Sequence, residues 1–317
     1  MNAPRALLLV ASLMLAACGP TLPPAAPHAF VTAEPHAPPM EICWVEYATN
    51  KQPGNYGLAG SSEDPVWEVT FSGLLVRHPQ GHVLVDTGRS SHFSQELESA
   101  GFFSRQLLRS VQGGGDLVAS APDALRRVGE DPSRLGAIAL SHIHGDHAGG
   151  LVDLPNIPVL VAPAELSFAS QQKDKGGFDV IQAHALAVEA RAKPIQLTNK
   201  PYENFDKSAD LYGDGSIVFV PLGGHTPGSI GTFVNRSPTE RYLHIGDAAN
   251  LLEAVERRRG KSIVLQFTDH DGSEADATLA KLTQLHAMDP GLQIIPAHDR
   301  KAWRRIFGAP SRCLPAR

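Results

Sequence analysis

His142-Ile143-His144-Gly145-Asp146-His147 places three imidazoles and one carboxylate within six residues, directly after the mostly apolar run Leu135–Leu140. Neutral imidazole nitrogens and carboxylate oxygens suit zinc and the other borderline first-row metals. His142 and His144 lie two apart, so an extended chain leaving a strand aims both at one point. Asp146 and His147 follow a turn at Gly145 and face a second point nearby. That spacing favours two adjacent metal ions over one. A His-rich stretch can also be a solvated loop, but this one follows a buried-looking strand and precedes Gly149-Gly150. Six residues cannot close two coordination shells, so further ligands must come from elsewhere.

The rest of the chain supplies candidates in order. Gly223-Gly224-His225-Thr226-Pro227-Gly228-Ser229 follows the strand-like run Ser216–Pro221, Gly246-Asp247 follows Tyr242–Ile245, and His298-Asp299 follows Leu292–Pro296. Each candidate ligand therefore sits where a strand would end and a loop begin, the place where a sheet holds loop bases rigid. Singly, His225, Asp247 and His298 read as structural polar residues. Beside the first cluster they read as ligands.

These segments, with Asp86-Thr87-Gly88, resemble the metallo-β-lactamase-fold hydrolase superfamily in the same order, from about Glu41 to the C-terminus. The resemblance implies an αββα sandwich, two mixed sheets face to face with helices outside and a site at strand ends along one edge. It implies that His142, His144 and His225 hold a first metal, that Asp146, His147 and His298 hold a second, and that Asp247 bridges both. β-Lactamases of this fold generally lack a bridging carboxylate there. Leu243-His244-Ile245-Gly246-Asp247-Ala248-Ala249 looks more like the lactonase, glyoxalase II and organophosphate-hydrolase branches, and Pro296-Ala297-His298-Asp299 resembles the end motif of N-acyl homoserine lactonases. Some of those lactonases place a Tyr three residues after the bridging Asp, where this chain has Asn250. The diiron flavoprotein branch typically has Glu where His144 stands, which argues against an oxygen-reducing role.

The expected cofactors are thus two divalent ions, zinc first, with iron, manganese or cobalt also compatible. The expected chemistry is activation of a shared water to hydroxide for attack on a lactone or ester carbonyl. Asp146 would orient the nucleophile and carry a proton to the leaving group. β-Lactam, thioester and phosphotriester hydrolysis rank behind. A binding lipoprotein that keeps the metal site without turnover is the alternative from another class. By analogy with the fold, the loop Thr49–Asp64 and the segment Phe93–Val118 are expected to wall the pocket. Tyr56, Phe102 and Phe103 either line it or pack the lid.

The N-terminus bears on compartment. Arg5 precedes an apolar core, Ala6–Ala16, which is too short to span a bilayer and has the size of a signal-peptide core. Leu15-Ala16-Ala17-Cys18-Gly19 looks like a bacterial lipobox, cleaved before a cysteine that receives lipid; the plainer reading is a secretory signal with a chance cysteine. The expected organisation is a signal peptide over 1–17, a Pro/Ala-rich tether over 18–39 and one hydrolase domain over 40–317, attached to a membrane through Cys18. Gly19 after the cysteine points to the outer membrane, facing the periplasm. Cys43 and Cys313 remain, either paired in an oxidising compartment or present as two buried thiols.

A formal net charge of −5 with no basic stripe gives no support for nucleic-acid binding. Gly260-Lys261-Ser262 has Val255 where a phosphate-binding loop needs glycine, and Pro227 breaks the nucleophile-elbow pattern around Ser229. Arg257-Arg258-Arg259 reads as a solvated helix end, and His270 and His286 have no evident partners.

Overall fold

In a computed structural model, which describes residues 21–31, 35–99, 105–106, 108–109, 116–154, 156–173 and 180–316, side-chain alternation along the strands decides the layering. The first sheet contains β1 (Glu41–Pro53), β2 (Val66–His78), β3 (Gly81–Val85), β4 (Asp116–Leu117), β5 (Leu135–Ala139), β6 (Val159–Val161), β7 (Ala192–Pro194) and β13 (Cys313–Leu314). Its order is β13-β1-β2-β3-β5-β6-β7, with the short β4 also paired to β1. The second contains β8 (Ala209–Asp210), β9 (Ile217–Pro221), β10 (Ile230–Ser237), β11 (Glu240–His244) and β12 (Gln293–Ile295), in the order β12-β11-β10-β9-β8. Both sheets are mixed: β3, β5, β6 and β7 run parallel to one another, as do β11 and β12, and the remaining pairs are antiparallel.

On β1, Ile42 and Trp44 point into a core shared with Leu74, Val76, Val83 and Val85 of the first sheet and Ile217, Phe219, Ile230 and Val234 of the second. The intervening Cys43, Val45 and Tyr47 point outward, toward the helices Ala121–Arg127 and Gln182–Glu189. On the second sheet Val218, Val220 and Phe233 face outward onto the helices Leu252–Arg257 and Gly272–Met288. Strands covered on both faces carry near-continuous apolar runs, which explains why the sequence shows little polar alternation there. The result is the expected αββα sandwich. Trp303 of the helix Arg300–Phe307 stacks on Trp44 at 5.7 Å and closes one end of the inter-sheet core.

Two expectations need revision, and another concerns residues outside those described. The segment Thr49–Asp64 is not all loop, because β1 continues to Pro53: polar Thr49-Asn50-Lys51-Gln52 pair with Thr70 to Trp67 of β2. Phe102 and Phe103 lie outside the described residues, as do Cys18 and the rest of 1–20. The Pro/Ala-rich segment lies along the domain instead of forming a free tether. Leu22 and Phe30 pack against the second sheet's outer core, and Val31 exchanges backbone hydrogen bonds with Glu203 at 2.9 and 3.1 Å. Its composition forbids an independent core, but two apolar side chains and a few backbone donors suffice to hold it on a core already formed. Among the described residues, no helix is long and apolar enough to cross a membrane.

Cys43 and Cys313 form a disulfide across the β1–β13 pair, closing the chain over 270 residues. Replacing both by Ala is expected to cost about 2–4 kcal/mol and to lower Tm by roughly 5–10 °C. Calorimetry should show that a reductant lowers the wild-type Tm by a similar amount and leaves the double variant unchanged.

Candidate metal centre

The strands that feed the site all end at it. Asp86 follows β3, Ser141 and the His142–His147 stretch follow β5, His225 lies beyond β9, Asp247 beyond β11 and His298 beyond β12. The structure brings all seven sequence candidates together, in two groups. Donor atoms of His142, His144 and His225 lie within 4.8 Å of one another, and so do those of Asp146, His147 and His298. Asp247 stands between the groups. Its Oδ2 is 3.5 Å from His225 Nε2, while its Oδ1 is 3.2 Å from His147 Nε2 and 3.1 Å from His298 Nε2. Asp146 Oδ2 is 3.3 Å from His298 Nε2.

These residues fit metal ions on two counts. Two nitrogens of one tetrahedral zinc, each about 2.0–2.1 Å from it, lie roughly 3.4 Å apart. His144 Nδ1 and His225 Nε2 are 3.0 Å apart, and His147 Nε2 and His298 Nε2 are 3.3 Å apart. In addition, His142 Nε2 is buried without a hydrogen-bond partner, a rare condition that a cation at this position would relieve. A further grouping, Glu41 with Cys43 and Cys313, has its sulfurs bonded to each other.

The two groups differ electrostatically. Burial, reinforced by neighbouring imidazoles, holds His142 and His144 well below the usual histidine range; burial and the Lys261 ammonium lower His225. These three are neutral donors. Burial would also lower His147 and His298, but Asp247 and Asp146 outweigh it and raise both. Asp247 is held well below the carboxylate range because His298 and His147 outweigh its own burial.

Each group is braced from behind. Asp86, in the left-handed region at φ 59°, accepts from Ser141 N at 2.7 Å and Ser141 Oγ at 2.7 Å. Its Oδ2 also lies 2.8 Å from His147 Nδ1, which turns His147 Nε2 toward the centre. His298 Nδ1 is 2.9 Å from Thr70 O and His225 Nδ1 is 2.8 Å from Asp269 Oδ1. Such partners fix tautomer and ring orientation. Asp86 thus sits in a left-handed turn and orients His147 with its carboxylate.

Three supporting residues had no signature in the sequence. Glu165, fully buried in the helix Pro163–Gln172, accepts from Ile143 N at 2.7 Å, Thr226 Oγ1 at 2.7 Å and Gly228 N at 3.0 Å. It therefore ties the first ligand loop to the second; burial pushes its carboxyl up to about 7 against those donors. A side chain at Gly228 would collide with Glu165 N at 2.2 Å, and one at Gly224 (φ 117°) with Ala275 N at 2.2 Å, which accounts for both glycines around His225. Asp269 and buried Lys261 complete the set: Lys261 pairs with Asp269, and its Nζ lies 2.9 Å from His225 Nδ1. Lys261 is thus a supporting cation rather than part of a phosphate loop. Its only sequence hint was the Gly260-Lys261-Ser262 string, read for another purpose. His270 contributes its backbone N–H to His225 O at 2.9 Å and packs its ring on Phe168.

A small cavity opens onto the centre. Tyr56, Trp67, Val69, Phe71 and Leu265 form its apolar wall, and Gln52, Asn250 and Thr268 supply polar edges beside His144, Asp146, His225, Asp247 and His298. A larger cleft of about 290 Å³ lies behind Trp67, bordered by ion pairs such as Lys301–Asp64 at 2.7 Å.

A family profile described as the metallo-beta-lactamase superfamily matches residues 66–298. The chain is 24% identical over 245 residues to an N-acyl homoserine lactonase, AttM, of Rhizobium johnstonii, covering 77% of this chain and 87% of that protein. It is 28% identical over 247 residues to a probable metallo-hydrolase of Mycobacterium tuberculosis, covering 71% and 73%. An N-acyl homoserine lactone hydrolase structure with N-hexanoyl-L-homoserine at its catalytic metal centre superposes with a TM-score of 0.62 at 18% identity, covering 85% of this chain and 96% of that one. AidC, described as a dizinc quorum-quenching lactonase, gives 0.57 at 17%, covering 86% and 90%. At such identities the structural likeness speaks to the fold.

Asp86→Asn and Glu165→Gln are each expected to lower metal affinity about 10- to 100-fold. Competition with a chromogenic chelator measures this, and far-UV circular dichroism should show the fold retained.

Proposed function

The chain belongs to the metallo-beta-lactamase superfamily, and from a metal-dependent hydrolase of that family we infer one that opens a lactone or an ester with two divalent ions, zinc first. The observation that carries the reading is Asp247, whose two oxygens face different ligand groups, 3.5 Å from His225 Nε2 on one side and 3.1 Å from His298 Nε2 on the other. His142, His144 and His225 would hold one ion and Asp146, His147 and His298 the other. Two ions held there would supply Lewis acidity toward a carbonyl and a water acidified toward neutrality. The relatives named as lactonases support the lactone assignment, and their alignment covers most of this chain.

The chain's own groups divide the remaining work. The apolar wall of Tyr56, Trp67, Val69, Phe71 and Leu265 binds the hydrocarbon part of the substrate and keeps water from its flank. Gln52, Asn250 and Thr268 offer hydrogen bonds to the polar end. In this reading Asp146, which lines the same cavity, takes a proton from the attacking water and returns it to the departing alkoxide oxygen. Water adds to the acyl carbon, the ring or ester C–O bond breaks, and the products are an acid and an alcohol. Asn250 donates from Nδ2 to Gly57 O at 3.4 Å and has no phenolic proton to give; we assign leaving-group protonation to Asp146.

A panel of lactones and aryl esters set against nitrocefin is expected to show turnover of lactones or esters and none of the β-lactam. Chelation should abolish that activity, and zinc, manganese or cobalt should restore it. Asp146→Asn protein that retains both ions is expected to lose about 10²- to 10⁴-fold in kcat. Undiminished turnover would remove Asp146 from the proton transfer.

A further inference from the structure

Thr21 pairs with Arg259 in an isolated antiparallel bridge, and Leu22 N donates to Arg258 O at 3.0 Å. The chain is therefore pinned to the domain at the beginning of the Pro/Ala-rich segment. Cys18, the lipid-attachment position expected from the lipobox-like stretch, precedes Thr21 by three residues. Three residues of extended chain reach at most about 11 Å. A lipid on Cys18 would thus enter a bilayer close to Arg258 and Arg259, with no long tether between membrane and domain.

The next turn of chain carries the two most exposed large apolar side chains among the described residues, Phe267 at 75% and Ile263 at 68%. The turn that presents them is built, not slack. Leu265 N and Gln266 N both donate to Ser262 O at 2.9 Å, Ser262 Oγ donates to Tyr56 O at 2.6 Å, and Gln266 Nε2 donates to Lys261 O at 3.1 Å. Between the two exposed tips, Leu265 turns the opposite way and walls the cavity at the metal centre, followed by Thr268. Arg257, Arg258 and Arg259 stand immediately before this turn, Arg257 being paired with Glu253. An exposed aromatic and an exposed aliphatic tip match the chemistry of a bilayer surface, where apolar groups settle about 5–10 Å into the headgroup boundary.

We propose that the turn Ile263–Phe267 docks on the bilayer that holds the Cys18 lipid, which sets the cavity walled by Leu265 of the same turn next to the membrane. This rests on lipid attachment at Cys18.

The test uses the full chain, produced with its own N-terminus and reconstituted into phosphatidylethanolamine–phosphatidylglycerol vesicles carrying brominated acyl chains. Phe267→Trp is compared with Leu186→Trp, an exposed position on the helix Gln182–Glu189 outside the other sheet. Trp44, Trp67 and Trp303 are buried and give both variants the same background. F267W emission is expected to be quenched at least about twofold more than that of L186W, as insertion to headgroup depth requires. The mass of the N-terminal peptide reports the lipid in the same preparation. Equal quenching in lipidated protein overturns the docking face; absence of lipid on Cys18 overturns the proposal at its premise. Neither readout uses turnover, so failure here is distinct from failure of the hydrolase reading.

Discussion

Seven imidazole and carboxylate side chains must stand within a few ångströms of one another, nearly all removed from water, before any cation arrives. Each buried polar group left unpaired costs about 1–3 kcal/mol, and more when charged. The sandwich meets that constraint with three carboxylates behind the ligands. Asp86 holds the start of the His142–His147 stretch through Ser141 and His147, Glu165 joins Ile143 to Thr226 and Gly228, and Asp269 holds His225. The ligands are aimed by these contacts and by strand ends, and the two sheets must keep their relative position for both halves to meet.

The layering was legible in the chain because strands buried on two faces write themselves as apolar runs, and an interruption by His or Asp at a run's end marks a site. The ligands were legible for the same reason. Glu165 and Asp269 were not: each is a single carboxylate in an ordinary local context, and its meaning lies in backbone donors distant in sequence, such as Gly228 for Glu165. The polar end of β1 reads as loop from sequence because Asn50-Lys51-Gln52 has little intrinsic strand preference; its pairing with β2 overrides that preference. The segment 21–39 likewise lacks periodicity, and its attachment depends on surface features of a sheet that local sequence does not encode.

The ligand loops and the cavity walls have different origins. Ligands come from strand ends in both sheets, whereas the wall combines Trp67, Val69 and Phe71 of β2 with Tyr56, Asn250, Leu265 and Thr268 of the connections 54–65 and 249–271. Those two connections are joined to each other: Ala59 N donates to Gly260 O at 2.7 Å, Ser262 Oγ to Tyr56 O, and Asn250 Nδ2 to Gly57 O. The N-terminal segment is fastened to the same unit through Leu22 and Arg258. A change at Tyr56 or Asn250 in this unit alters the cavity while leaving Asp86, Glu165 and the sheet ends untouched, whereas Asp269 and Lys261 of the same unit also brace His225. The reaction type is thereby tied to the sandwich, and the substrate to β2 together with these connections, so a chain can retain all seven ligands and yet carry Asn250 where some lactonases of the fold place a tyrosine.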